Sequence, residues 1–267
     1  MIFKEGKAMS SYFSKSIWIG VTFLLLLSTT TQAAEFEATL KWSKRVDLAL
    51  PVSGVIQKVY ADVGQKVSKG GKLLSLDDTV YKVKVMQART NLRSEEAQYK
   101  EAEREMQRSQ QLYARTVLSD HELQVAKDNK VKAEAERDRA RAMLVKARQE
   151  LRYSTLRAPF NALVLARYAQ VGQVIAAKLK PVTLFTVADA DSMMARFYVS
   201  ESQLSGIKLG QSAKVLLGGS ELDGTIKAIG FEPVKGANNG TNYPVDVKFN
   251  VGDRVLREGQ HVKVRVQ

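Results

Sequence analysis

The side chains that most often carry out catalysis or bind metals are rare in this chain of 267 residues. It contains no cysteine and only two histidines, His121 and His261, which lie far apart in the sequence. We find no cluster of acid, base, nucleophile or metal ligand, so neither a catalytic site nor a metal centre is expected. Disulfide bonds and zinc–thiolate sites both need cysteine and are excluded.

Two further motifs resemble chemical sites but lack residues that the chemistry requires. The segment 69–73 is similar to a phosphate-binding loop, but Lys66 occupies the place of its first glycine and Leu73 that of its Ser or Thr. Met193 and Met194 are adjacent, and neighbouring residues of a strand face opposite sides. We therefore expect packing rather than copper binding.

The formal charge of +13 is compatible with binding to nucleic acid, to an anionic membrane or to an acidic protein surface. The basic residues, however, alternate with acidic ones, as in the segments 101–105 and 134–139. There is no basic run with interleaved aromatic residues, so nucleic-acid binding is not expected.

Residues 80–151 form the longest element that could position a functional residue. This stretch has no Gly or Pro and is rich in Ala, Glu, Lys, Arg, Gln and Leu, which favours helix. Mainly apolar residues alternate at spacings of three and four over 85–113 and again over 123–151, which indicates two heptad seams. Between them, Ser119 or Asp120 is suited to cap a second helix. We predict an antiparallel hairpin; one long helix, or a coiled coil between chains, is the alternative.

Four seam positions are polar: Glu95, Ser109, Lys130 and Arg137. They are compatible with fixing the pairing register, with contacts between neighbouring hairpins, or with solvated edges. If the two seams fold back on each other, Tyr99 lies opposite Arg137, and we predict a cation–π pair there.

The first 33 residues have the order of a secretory signal. Lys4, Lys7 and Lys15 precede an apolar run over 17–27, and small residues follow up to Ala33. A run of 11 residues is short against the ~20 that span a bilayer. We expect cleavage after Ala33 or Ala34 and export of the mature chain; an uncleaved anchor is the alternative.

An internal repeat flanks the helical stretch. Residues 51–67 and 159–175 align at a constant offset of 108 residues, with six identities in 17 positions. Each half has a β-branched segment followed by a Val-Gly pair, and Gly64 and Gly172 fit turns that need positive φ. Because neither half can bury its apolar face alone, we predict that the two halves form one small β-sandwich.

The C-terminal part alternates strand-like segments with turn residues. Strands are predicted over 193–199, 212–217, 222–231, 243–250 and 261–266, with a sixth over 36–50 and a short capped helix over 200–206. Six short strands favour a closed barrel, since closure leaves no unpaired edge.

The order of these segments resembles the membrane fusion proteins, or periplasmic adaptors, of tripartite efflux and secretion systems. The resemblance covers residues 35–267 and rests on the segments 52–56, 63–67, 74–78, 156–160 and 171–174. It implies an α+β fold in which a long antiparallel α-helical coiled-coil hairpin is inserted in a split lipoyl-like β-sandwich, next to a small antiparallel β-barrel. The implied domains are a signal peptide (1–33), a barrel (34–50 and 188–267), a split lipoyl/biotinyl-like domain (51–78 and 155–187) and the hairpin (79–154).

Two features depart from the related folds. A lipoyl or biotinyl carrier presents a modifiable lysine on a tight turn between its halves, whereas here the helical insertion takes that place and Lys82 and Lys84 lie at its base. No cofactor is therefore expected. Asn161 and Ala162 stand where the family has Asp-Gly; because Asn tolerates the left-handed conformation, we expect the turn to be retained.

Members of this family that meet a TolC-like outer-membrane channel carry an Arg, a Leu four residues later and a Ser seven residues after that. Arg108, Leu112 and Ser119 have these spacings. The resemblance implies a channel-binding tip, where Arg108 binds carboxylates or carbonyls, Leu112 supplies apolar area and Ser119 is a compact donor and acceptor. An exposed Arg, a seam Leu and an N-cap Ser are the structural alternatives.

The resemblance further implies a non-catalytic periplasmic adaptor between an inner-membrane exporter and a TolC-like channel, for efflux of small molecules. An RND pump is the favoured exporter; an ABC-type exporter or secretion system is the alternative, and a periplasmic structural coiled-coil protein is a second. A homo-oligomer of six copies follows from the family's usual assembly. Without cysteine the chain has no lipid anchor of the N-terminal Cys type.

Overall fold

The computed structural model describes residues 34–177, 181–235 and 241–267, so the leader predicted over 1–33 lies outside the described residues. The helices are α1 (Thr79–Ala114), α2 (Asp120–Tyr153) and α3 (Glu201–Leu204). The strands, in chain order, are β1 (Glu35–Trp42), β2 (Arg45–Leu48), β3 (Gly54–Val59), β4 (Lys66–Val67), β5 (Lys72–Leu76), β6 (Thr155–Arg157), β7 (Ala162–Arg167), β8 (Val174–Ile175), β9 (Phe185–Asp189), β10 (Ser192–Ser200), β11 (Ser212–Leu217), β12 (Ser220–Ile229), β13 (Val234–Lys235), β14 (Thr241–Asn250) and β15 (His261–Val266).

The two halves of the repeat interlock in a sandwich of two four-stranded sheets, β2-β9-β7-β4 and β6-β5-β3-β8. β4 of the first half pairs with β7 of the second, and β8 of the second pairs with β3 of the first. The same hydrogen bond recurs at the repeat offset: Gly64 N–H donates to the Val164 carbonyl and Gly172 N–H to the Ile56 carbonyl, each at 2.9 Å. Each half thus supplies a strand that the other half lacks.

The apolar side chains of both halves meet between these sheets, as the repeat predicts. Large side chains that are at most 1% exposed include Ile56, Leu73, Leu74, Leu76, Val164, Leu184 and Phe185. Burying each such side chain stabilises the fold by about 1.5–3 kcal/mol relative to leaving it in water. Gly64 and Gly172 have φ of +84° and +87°, which confirms the predicted turns.

The chain bends at Asn161, but the expected left-handed conformation is wrong, because Asn161 does not have positive φ. Its side chain instead joins three segments. The Oδ1 atom accepts the Lys69 N–H at 3.0 Å, and the Nδ2 atom donates to Asp191 Oδ2 at 2.8 Å. Hydrogen bonding, rather than tolerance of unusual φ, explains how Asn serves at this turn.

The strand expected over 36–50 is divided between two sheets. β1 lies in the barrel, whereas β2 pairs with β9 in the sandwich. The break at Ser43 and Lys44 coincides with the passage from one core to the other. Continuous strand propensity cannot reveal such a break, because both parts are extended and half-apolar.

Six strands form the closed barrel that the sequence predicts. They follow the order β10-β1-β15-β11-β12-β14, and β14 pairs back onto β10, while β13 adds a short extension to β14. The core includes Leu40, Met193, Phe197 and Val264, all fully buried, so Met193 packs as expected. α3 begins after Ser200, whose N–H donates to Gln203 Oε1 at 3.1 Å.

A buried carboxylate joins the barrel to the sandwich. Asp189 is 7% exposed, and its Oδ2 atom accepts the hydroxyls of Ser43 and Ser192 at 3.1 Å each. Its Oδ1 atom accepts the Asp191 N–H at 3.0 Å. Burial alone would raise the pKa of Asp189, but these hydrogen bonds favour the ionised form and the net effect lowers it.

α1 and α2 lie antiparallel between β5 and β6, which pair with each other at the base. Lys84 Nζ lies 3.1 Å from Glu150 Oε2, and Lys130 Nζ lies 3.5 Å from Glu103 Oε1. The Arg137 guanidinium lies 4.2 Å from the centre of the Tyr99 ring, which confirms that predicted pair. In the part of the chain that the structure describes, no helix combines the length and apolarity needed to cross a membrane.

The buried side of the helices follows the predicted seams. Its members are Ser109, Leu123, Ala126, Ala140, Leu144 and Ala147. Tyr113, the last residue of the α1 seam, is an exception. It is 41% exposed because its phenol turns towards Asp120 at the start of α2.

Gly64 and Gly172 occupy equivalent turns of the two repeated halves, so the same substitution can be tested at both. Nothing lies within 4 Å of a Cβ added at Gly64 or Gly172, so an alanine there meets only backbone strain. We expect Gly64→Ala and Gly172→Ala each to lower the free energy of unfolding by about 1–2 kcal/mol, measured by hydrogen exchange of β3 and β7 in urea.

Gly206→Ala is the control, because Gly206 lacks positive φ and its added Cβ would lie 3.6 Å from the nearest atom. We expect it to be neutral or slightly stabilising. If both turn variants were as stable as this control, the turns would not constrain the sandwich as described.

Candidate functional site

The end of α1 turns the chain through a pair of hydrogen bonds. Thr116 N–H donates to the Tyr113 carbonyl at 2.9 Å, and Val117 N–H donates to the Leu112 carbonyl at 3.1 Å. This is the Schellman arrangement, which places a left-handed residue just after the helix. Thr116 occupies that position with φ of +58°, the one non-glycine residue with positive φ in the described ranges. Because left-handed backbone costs an L-residue about 1–2 kcal/mol, the tip is locally strained.

The start of α2 is closed by a capping box. The Ser119 Oγ atom accepts the Glu122 N–H at 3.3 Å, and Ser119 N–H donates to Glu122 Oε2 at 3.0 Å. The Ser119 hydroxyl also donates to the same carboxylate at 2.7 Å. Hydrogen bonds from the Ser119 backbone and hydroxyl lower the pKa of Glu122. Of the two predicted caps, Ser119 is therefore the one used.

The three residues named for channel binding lie on both sides of this turn. Arg108 is exposed and lies 3.0 Å from Glu105, while Leu112 is half-buried one turn further along α1. Ser119 lies across the turn and is held by Glu122. No hydrogen bond or ion pair of the described residues joins two of the three. The turn places them at one end of the helix pair without direct contact among them.

Sequence reasoning missed two exposed side chains at the same end. Val117 is 69% exposed and Tyr113 is 41% exposed. The hydrogen bond between Tyr113 and Asp120 raises the pKa of the phenol, which keeps it a hydrogen-bond donor. The sequence offered one indication of this: Val117 is an apolar residue in the short segment between the two seams. The tip thus combines apolar area, a phenol and an arginine, a composition typical of protein interfaces.

No cluster of three or more metal-ligating side chains lies within residues 34–177, 181–235 and 241–267. His121 lies at the tip and His261 at the start of β15, and both are exposed.

Comparison with known proteins agrees with this architecture. Residues 44–189 match the family model of the CzcB-like barrel-sandwich hybrid domain. This range is more than half of the chain and takes in both interlocked halves and the two long helices between them. The chain belongs to the membrane fusion proteins.

Two curated relatives of this membrane fusion protein are named for export. It is 27% identical over 241 residues to the macrolide export protein MacA of Yersinia pestis, covering 84% of this chain and 65% of that protein. It is 26% identical over 189 residues to the pyoverdine export membrane fusion protein PvdR of Pseudomonas aeruginosa, covering 66% of this chain and 48% of the relative. The chain thus spans less than two thirds of the length of each.

Solved structures of membrane fusion proteins share the fold. The protein Spr0693 from Streptococcus pneumoniae R6 superposes with a TM-score of 0.65 at 16% identity, covering 88% of this chain and 99% of that one. A MacA–MexA chimera with the Pseudomonas aeruginosa MexA α-hairpin domain gives 0.60 at 22% identity, covering 88% of this chain and 78% of the chimera.

The capping box of this membrane fusion protein generates a prediction about the tip. We expect Ser119→Ala to destabilise the first turn of α2 by about 1 kcal/mol, and Ser119→Thr to retain most of its stability, because Thr keeps the acceptor oxygen. Hydrogen exchange of the amides of residues 120–124 measures both. Equal losses in the two variants would contradict the capping role.

The same measurement has a predicted pH dependence. Since the pKa of Glu122 is lower in the folded turn than in the unfolded chain, its stabilising effect is complete above the unfolded value. It is lost as the pH falls through the lowered folded value. The difference in amide protection of residues 120–124 between the native and Ser119→Ala proteins should therefore decrease in acid and stay constant near neutral pH.

Proposed function

We propose that this membrane fusion protein is a periplasmic adaptor that links an inner-membrane exporter to a TolC-like outer-membrane channel, for export of small molecules. The helix pair carries this proposal. α1 has 36 residues, and at about 1.5 Å per residue it is about 50 Å long. A helix pair of this length is suited to bridge two partners, because its base is fixed by the paired strands of the sandwich and its tip carries exposed apolar area.

We assign the outer-membrane contact to the tip. In this proposal Arg108 binds carboxylate or carbonyl oxygens of the channel, Leu112 and the exposed Val117 supply apolar area, and Ser119 holds the turn in shape. Arg108 is already bound to Glu105, but that exposed pair contributes little and can be exchanged for a partner carboxylate at small cost. Tyr113 adds a hydrogen-bond donor beside this group.

The proposed assembly has six copies in a ring, with the hairpins directed away from the inner membrane. The exporter is proposed to be an RND pump, and an ABC-type exporter is the alternative. The relatives are named for macrolide export and pyoverdine export, which supports an exporting system without selecting a cargo. We propose that residues 1–33 are a signal peptide that directs the adaptor to the periplasm.

A unique thiol tests this assignment, because the chain has no cysteine. Val117→Cys is placed at the tip, where the side chain is 69% exposed and the capping box of Ser119 is left intact. Cells of the native host are treated with a short crosslinker that joins thiols to amines, and adducts are identified by mass spectrometry. We expect an adduct with an outer-membrane channel protein.

The matched control is Lys227→Cys, an exposed position on β12 of the barrel, for which no channel adduct is expected. Channel adducts from both positions would show that the tip has no special role. Adducts only with other copies of the same chain would support the structural coiled-coil alternative instead.

A further inference from the structure

One side of the basal half of the hairpin carries a basic surface, which we call the arginine face. Its members are Lys82, Met86, Arg89 and Arg93 of α1 and Arg141, Val145, Arg148 and Arg152 of α2. All eight side chains are exposed, and the two apolar ones, Met86 and Val145, are 62% and 57% exposed. The face contains no acidic residue.

These residues share a face because of how antiparallel helices pair. Each member except Lys82 follows a seam residue by one position, as Arg89 follows Ala88 on α1 and Arg148 follows Ala147 on α2. Lys82 lies one turn before Met86 on the same side of α1. Reversing the direction of a helix also reverses the sense in which its residues rotate, so this displacement leads to the same side of both helices. The opposite displacement leads to the other side, where Lys84 and Glu150 form their ion pair.

The arginines have no intramolecular counterpart among the described residues. Arg89, Arg93, Arg141 and Arg148 take part in none of the ion pairs there, whereas many other arginines of the hairpin do, as in the Arg139–Glu136 pair at 2.9 Å. The acids that flank the face are Asp78 at the base, which lies 2.8 Å from Lys82, and Glu96 and Asp138, one turn nearer the tip. Asp138 in turn lies 2.9 Å from Arg137. Concentrated like charge is unfavourable within the protein and so favours an anionic partner.

Among the described residues, the opposite face of a second copy has no unpaired acid at this height. If parallel copies packed face to face, the arginine face of one would meet the opposite face of the next. That face carries Lys84, Arg139 and Lys146 there, and its acids Glu150 and Glu136 are already bound to Lys84 and Arg139. Such packing would leave the arginines without a carboxylate partner.

We propose that the arginine face binds an acidic amphipathic α-helix of a partner protein. The combination of charge and exposed apolar area carries this choice, because Arg89, Arg93, Arg141 and Arg148 lie on the same side of the hairpin as Met86 and Val145. A helix laid along this face can present carboxylates at spacings of three, four and seven residues, and arginine binds carboxylates in bidentate pairs. Met86 and Val145 contact the apolar stripe of this helix. A flexible polyanion has no such stripe and would leave both side chains exposed.

The test uses a synthetic probe with the full-length protein. The probe is a peptide of about three heptads with a leucine stripe flanked by glutamates, and its control has the same composition but two central prolines that break the helix. We expect the helical peptide to bind at least about tenfold more tightly at physiological ionic strength, measured by fluorescence anisotropy, because only it presents its carboxylates and its apolar stripe along one face.

Two variants of equal net charge separate the face from general attraction. Arg89→Gln, Arg93→Gln and Arg148→Gln combined should weaken helix binding by more than about tenfold, since three charged contacts are lost. Lys132→Gln, Arg139→Gln and Lys146→Gln combined, on the opposite face, should change it less than about threefold. Circular dichroism checks that both remain helical.

Three outcomes would overturn the proposal. Equal affinity for both peptides, or an equal loss of affinity in both variants, would show that binding depends only on net charge. Binding of phosphatidylglycerol vesicles without binding of the peptide would assign the face to lipid headgroups. Loss of self-association in the arginine variant alone would make it an interface between copies.

Discussion

The exchange of strands between the two repeated halves is the constraint on which the rest of the structure depends. Ile56 N–H donates to the Gln173 carbonyl at 2.9 Å, and at the equivalent place Val164 N–H donates to the Gln65 carbonyl at 3.0 Å. Neither half is a complete sheet without the other. Because β5 leads into α1, α2 leads into β6, and β5 pairs with β6, the sandwich also fixes where the hairpin leaves and re-enters. The direction of the tip is therefore set by strand pairing at the base.

The hairpin itself has a thin core, and polar groups determine how its helices align. The buried seam of α2 is made of Leu and Ala, whereas Ser109 is the buried member of α1 in the described structure. Arg137 stacks on Tyr99 and Lys130 pairs with Glu103, so a shift of register would break specific contacts as well as apolar ones. Such a seam stabilises the hairpin less than an all-leucine seam would. It specifies the register of the two helices more strictly.

Much of the fold follows from sequence periodicity, and the parts that do not have identifiable physical causes. The seams and the repeat predict the helices and the sandwich because period and offset are long-range patterns. The division between β1 and β2 depends on two separate cores, which local propensity does not distinguish. At the tip, Ser119 could be recognised as a cap, but Thr116 in a position that favours glycine could not. The arginine face becomes visible only when the antiparallel pairing brings Arg93 and Arg141 to one side.

In the proposed function, this membrane fusion protein lies between two membranes, with the barrel near the exporter and the hairpin tip at the channel. Electron cryomicroscopy of the tagged full-length protein, purified with its partners from envelopes of the native host, tests this most directly. We expect a ring of adaptors whose hairpin ends meet an outer-membrane channel, with an inner-membrane exporter at the opposite end. Particles in which the hairpins pack only on one another, with no membrane protein at either end, would contradict it.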